Sequence, residues 1–254
     1  MSKIKLDTAL FEHELTGTSK TFGRKHEISV VVQGDAAMTD GNTIFYPSLN
    51  HDAKLTEEEK RISRGYVDHE AGHLRHTEMA VIREAHDLAK RTGRKNVPAL
   101  LNALEDMRLE RIVMGEYPGA KKNLGATAKC VNEAYLEDYK AGKVSDEQVK
   151  DDRAMAAVAC TWRGREMADY PDGGTSQQCL DTISPALQAA TRKWIDALAL
   201  CESTRDAYDL AKVIDTHVTD GSYADPSYEP EFEPGKGEGE GEGEEAGEGQ
   251  AGEG

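Results

Sequence analysis

The chain has 254 residues, 38% hydrophobic and 31% charged, with 31 basic against 47 acidic side chains and a formal net charge of −16. That length suits one fair-sized domain with a real core, and the acidic balance excludes a general nucleic-acid binder, which needs a basic patch to neutralise phosphates. Cys130, Cys160, Cys179 and Cys201 form no C-x-x-C pair, which speaks against a zinc ribbon or a disulfide framework, and no stretch approaches the ~18 apolar residues of a membrane span. Met1 to Asp7 lack the apolar run of a signal peptide, so the expected compartment is the cytoplasm.

In chain order, residues 1–26 are mixed and polar, with a short helix expected around Thr8 to Leu15. Ile28, Val30, Val31 and Val32 form a β-branched run punctuated by Gly34 and Asp35, which reads as a strand. Asp40-Gly41 is a strong hairpin signal, and residues 42–47 read as the returning strand, stopped or edged by Pro47.

Thr56 followed by Glu57, Glu58 and Glu59 is a capping box with acids in the first turn, so a helix should start there. It runs into His69-Glu70-Ala71-Gly72-His73, a complete H-E-x-x-H motif. Residues four apart lie one above the other on a helix, so His69 and His73 offer two imidazole nitrogens to one ion. Zinc suits that offer, and a catalytic zinc keeps its fourth position for water. Glu70 would then be the general base that takes a proton from the attacking water. The plain alternative is that all three residues are the solvated face of a surface helix. Gly72 is easier to explain where another backbone passes close by, such as a substrate-side strand. His76 stands two turns from His69, too far along a straight helix to share its ion.

A further helix should cover Glu78 to Lys90 and end at Thr92-Gly93. The next starts at Pro98 and reaches Val113. On it Glu105 is bracketed by Leu101, Leu109 and Ile112, so its carboxylate projects from an apolar sector. A metal ion is one of the few partners that would compensate such burial; the alternative is an i,i+3 ion pair with Arg108. Asp106 faces a more polar sector, with Asn102 and Glu110 on either side, and is the weaker candidate. Beyond this the chain reads as helices over Lys122 to Tyr139, Ser145 to Ala168, Ser184 to Leu200 and Ser203 to Val218. From Asp225 onward eleven acidic residues stand against Lys236 alone. The Gly-Glu alternation from Gly235 has too little to bury and should stay disordered. The expected organisation is one domain over 1–222 and an acidic tail or linker over 223–254.

The hairpin with Met38-Thr39-Asp40-Gly41, the H-E-x-x-H helix and the following Leu104-Glu105-Asp106-Met107-Arg108-Leu109-Glu110 occur in the order seen in compact gluzincin-type zincins. More narrowly, residues 28–115 resemble the N-terminal region of the CobT family, the cobaltochelatase subunit and its phage and bacterial relatives described as peptidases. The resemblance implies an α+β, predominantly α-helical fold: a small N-terminal β-hairpin or sheet packed on a zincin-like active-site helix, followed by a helical bundle. It implies a zinc-dependent metallopeptidase acting on a peptide or protein, with Zn2+ on His69, His73 and an acidic residue of the later helix, and Glu70 as base. The family pattern favours Glu105. The gluzincin E-x-x-x-D pattern is not met from Glu105, since Leu109 stands four residues on. In such proteins an acidic linker leads to a von Willebrand A domain that works with a MoxR-type AAA+ ATPase; the tail resembles that linker, and these residues hold no A domain. The alternative function is a non-catalytic CobT-like chelatase or scaffold subunit working with such an ATPase.

Overall fold

The computed structural model describes residues 3–22, 29–32, 38–39, 43–46 and 54–235. α1 (Lys3–Phe22) precedes a three-stranded sheet of β1 (Ser29–Val32), β2 (Met38–Thr39) and β3 (Thr43–Tyr46). The helices α2 (Glu57–His76), α3 (Met79–Thr92), α4 (Asn96–Glu116) and α5 (Ala120–Lys140) follow. The rest of the described chain is α6 (Asp146–Lys150), α7 (Asp152–Met167), α8 (Thr175–Leu180), α9 (Pro185–Leu198) and α10 (Thr204–Asp220). This is the α+β, predominantly helical architecture expected from the sequence.

β2 and β3 pair antiparallel in the register Met38↔Phe45 and Thr39↔Ile44. They flank the Asp40-Gly41 signal, whose own residues lie outside the described ones. β1 adds in parallel on the other side of β3, with Val30 opposite Ile44, so the strand order is β1-β3-β2 and β2 is an edge. Ile44 is fully buried and joins the sheet to α1 and α2 in one apolar cluster with Phe11, Leu15, Val67, Ala71 and Leu74. α1 extends well past the expected Thr8–Leu15; Phe11 and Leu15 pack it on α2 and the sheet, and Ser19, one turn beyond Leu15, is buried as well.

α2 starts as the sequence requires: the Thr56 side chain accepts from Glu59 N, and Glu59 Oε2 accepts from Thr56 N at 2.7 Å. α3 ends at Gly93 in the left-handed conformation, φ 79°. α4 begins at Asn96, so Pro98 sits inside its first turn, where its missing N–H costs nothing. The expected single helix from Ser145 to Ala168 is two. Asp151 caps α7 by accepting from Arg153 N and Ala154 N, which stops α6 one residue earlier. α4 runs through the middle of the bundle, and Leu100, Leu101 and Leu104 pack in the main core with Trp162 of α7, Trp194 of α9 and Ile214 of α10. Each such side chain contributes about 1.5–3 kcal/mol on burial.

The expected boundary at residue 222 falls within a segment that packs on the body. Tyr228 is buried, Trp194 Nε1 donates to its hydroxyl at 3.1 Å, and Gly235 N donates to Asp206 Oδ1 at 3.0 Å. Aromatic residues that bury area together with a hydrogen-bond partner hold the segment in place. The Gly-Glu alternation beyond Gly235 lies outside the described residues.

α2 and α5 pack tightly at Gly65, where a Cβ would stand 2.5 Å from the Asn123 carbonyl oxygen. Backbone cannot yield as a side chain can, so Gly65→Ala should cost about 2 kcal/mol or more in chemical denaturation. Gly115→Ala in α4, with open space around it, should be neutral or stabilise by up to about 1 kcal/mol. Equal effects at the two positions would contradict the packing described.

Candidate metal centre

α2 carries His69, Glu70 and His73 in its last two turns and meets α4 through Gly72. The neighbours there are the Leu109 and Val113 side chains, each 2.9 Å from where a Cβ would stand, and not the strand expected from the sequence. The missing side chain lets α4 approach, and this brings Asp106 and Glu110 of α4 opposite the histidines.

His69 Nε2 and His73 Nε2 stand 3.2 Å apart, and Asp106 Oδ1 lies 3.1 Å from His73 Nε2 and 3.7 Å from His69 Nε2. These three residues are a convergent group able to hold a metal ion among the described residues. Donors bound tetrahedrally at the usual zinc distances of about 2.0–2.1 Å stand roughly 3.3–3.4 Å from one another, so the triangle has the right size.

Glu105 is elsewhere. It is fully buried, with Oε2 accepting from Arg108 Nε at 2.8 Å. Its Oε1 accepts from Arg108 Nη2 and Thr77 Oγ1 at 2.7 Å each, and from Thr204 Oγ1 at 2.9 Å. The apolar sector around it did signal a buried carboxylate, but its compensation is the Arg108 ion pair and two hydroxyls. The residue beside the histidines is Asp106. His76 is not in the group; its ring lies 3.7 Å from Glu116, and its carbonyl accepts from Arg108.

The outer nitrogens of both imidazoles are held. His69 Nδ1 lies 2.9 Å from Glu110 Oε1, and His73 Nδ1 lies 3.0 Å from Thr77 Oγ1. Carboxylates only accept, so His69 Nδ1 is the donor to Glu110. Asp106 and Glu110, one turn apart on α4, thus place one carboxylate at the two Nε2 atoms and the other at His69 Nδ1. An i,i+4 acid pair matching the i,i+4 histidine pair was the available sequence signal. Glu110 is itself anchored by Tyr170, whose hydroxyl donates to Oε2, and by Arg165 at 3.4 Å.

Electrostatics agree with a site that demands positive charge. Asp106 Oδ1 is buried and receives no hydrogen bond. Burial would depress the His69 pKa, but the carboxylates of Asp106, Glu110 and Glu70 raise it to about 9. In the metal-free protein a proton answers the demand that a divalent ion would answer when bound. Burial works against the Glu110 carboxylate, yet Arg165, His69 and Tyr170 bring its pKa down to about 2. The Glu70 carboxyl is shifted the other way, raised by burial against the pull of His69 and His73. Glu70 lines a cleft of about 290 Å³ with His69, His73, Asp106, Thr77 and the edge-strand residues Met38 and Thr39. A carboxyl whose pKa burial raises, at the wall of a cleft open to water, has the setting that a general base needs.

Asp68, next to the motif, is buried, and burial raises its pKa to about 6 despite the hydrogen bond from Asn123 Nδ2 at 2.8 Å. A carboxyl whose folded pKa lies above its unfolded value of about 3.9 binds more protons in the native state. Stability is thus lost as pH rises from about 4 to 6, and the penalty is full above that. Asparagine can accept the same hydrogen bond without the charge. Asp68→Asn should therefore stabilise the chelator-treated protein by about 1–3 kcal/mol at pH 8 and by little at pH 4. A gain of the same size at both pH values would contradict this.

The family model described as "Cobalamin biosynthesis protein CobT" matches residues 6–254. No curated protein and no solved structure matches the chain. No helix among the described residues is long and apolar enough to cross a membrane.

Proposed function

The chain belongs to the CobT family, and from the geometry of its site we propose that it is a metal-centre protein in which His69, His73 and Asp106 hold a divalent ion, best matched by zinc, and Glu70 makes the centre hydrolytic toward peptide bonds. The observation that carries the reading is the convergence of three lone-pair atoms, 3.1–3.7 Å apart, on one face of the cleft of about 290 Å³. Two nitrogens and one carboxylate oxygen make the donor set of a catalytic zinc, which leaves a position for water, where structural sites fill all four with protein atoms. A bound ion would supply Lewis acidity and bring the pKa of a water near 7.

The chain's own residues supply the rest. Glu70, one residue along α2 from His69, takes the proton of the attacking water and passes it to the leaving amine. Glu110 holds the His69 ring by Nδ1 and keeps its Nε2 aimed at the cleft. β2 walls the cleft on the side where an extended peptide would lie.

The family match supports a second reading, and supports it better than it supports a peptidase, because its description is biosynthetic and says nothing of hydrolysis. In that reading the chain is a CobT-type cobaltochelatase subunit, partnered by an AAA+ ATPase or a von Willebrand A domain, and the same residues hold or hand over a metal ion. The two differ at Glu70, since metal handling does not need a base beside the ion. Assay of the purified protein against a peptide library, with and without added zinc, tests the first reading. Cleavage that chelator abolishes is expected; no cleavage at any zinc level would favour the second.

A further inference from the structure

Glu105 is fully buried on α4 and touches neither histidine of the centre, yet its hydrogen bonds lead to one of them. Its carboxylate, gripped by Arg108 from both Nε and Nη2, offers only lone pairs. Thr77 is the residue after the end of α2, with extended backbone at φ −102° and ψ 130°, and this turns its side chain back between α2 and α4. The hydroxyl has one proton, and at 2.7 Å that proton goes to Glu105 Oε1. At the contact with His73 Nδ1, 3.0 Å away, Thr77 Oγ1 can therefore only accept. His73 must carry its proton on Nδ1, and the lone pair is left on Nε2, the atom that faces Asp106 Oδ1 and His69 Nε2.

We propose that Glu105 and Thr77 are positioning residues for the metal centre: the buried carboxylate sets the Thr77 hydroxyl, and the hydroxyl sets the tautomer and ring orientation that aim His73 Nε2 at the ion. The inference rests on the metal-centre reading above for its consequence, though the tautomer itself is a property of the metal-free protein. It gives the two histidines unlike supports. His69 is held by a carboxylate directly, and His73 by a carboxylate acting through a hydroxyl. It also accounts for a charged residue in an apolar sector that the centre does not use as a ligand.

Thr204 supplies the internal control. Its hydroxyl donates to the same Glu105 Oε1 at 2.9 Å and accepts from Glu78 N at 2.9 Å, but it touches no histidine. The experiment compares wild type, Thr77→Val, Thr77→Ser and Thr204→Val by competition for zinc against a chromogenic chelator, by nitrogen-15 NMR of the histidine rings in the zinc-free protein, and by thermal melting. Thr77→Val should weaken zinc binding about 10–100-fold, the usual cost of losing such an outer partner, and should lose the fixed Nδ1-protonated form of His73. Thr77→Ser should restore both. Thr204→Val should lower the melting temperature with the zinc affinity and the His73 tautomer unchanged. Wild-type affinity and an unchanged His73 tautomer in Thr77→Val would overturn the proposal, as would equal losses of affinity in Thr77→Val and Thr204→Val. If wild type binds no zinc, the metal-centre reading fails, and the NMR comparison of wild type with Thr77→Val still decides whether the hydroxyl sets the tautomer.

Discussion

Asp106→Ala is expected to lower zinc affinity by at least about 100-fold in a protein that stays folded, since loss of an outer partner alone costs roughly 10–100-fold. Asp106 supplies the one oxygen that stands with both imidazole nitrogens. Its other oxygen accepts, among the described residues, only from Asn102 Nδ2 at 3.2 Å. Little of the fold depends on it, so the stability cost should stay within about 1 kcal/mol. Glu105→Ala should fail in the opposite way. It strips the carboxylate partner from Arg108, whose side chain is 2% exposed, and breaking a buried pair from one side costs about 3–5 kcal/mol. Denaturation midpoints and zinc stoichiometry measured together separate the two. Zinc affinity that survives Asp106→Ala in folded protein would remove Asp106 from the site.

Glu70→Gln should leave zinc content unchanged and abolish hydrolysis, because the amide cannot accept the proton of the attacking water. General-base catalysis contributes about 10²–10⁴-fold, so the loss should fall in that range or below detection. Cleavage that survives at full zinc occupancy would exclude the mechanism. Intact partner-dependent activity in Glu70→Gln, with no peptide cut by wild type, is what a chelatase-type subunit would give.

How far the residues announced this centre differs along the chain. Local chemistry was legible: the Thr56 capping box starts α2 where expected, and the i,i+4 spacing puts His69 and His73 on one face with Nε2 atoms 3.2 Å apart. Which acid of α4 stands beside the two histidines was not. Helical phase identified Glu105 as a buried acid of α4, correctly, though not Glu110, which is buried too, and burial does not say what compensates it. Here it is Arg108, three residues on and visible in sequence, with Thr77 and Thr204, 28 and 99 residues away and visible only in the fold. Asp106 looked too polar because its neighbours on the helix are Asn102 and Glu110. A metal face on a helix is polar for that reason. The sheet was legible as strands and a hairpin but not in its order, since the residues of β1 carry no local signal that they pair in parallel with β3, fourteen positions on in the register Ser29↔Thr43.

The most direct test of the centre is zinc-edge X-ray absorption on the wild-type protein after equilibration with one equivalent of zinc and removal of the excess. The prediction is one zinc per chain, with scattering from two imidazoles and from oxygen ligands at about 2.0–2.1 Å and none from sulfur. Protein that retains no zinc, or zinc whose spectrum lacks imidazole, would contradict the site formed by His69, His73 and Asp106.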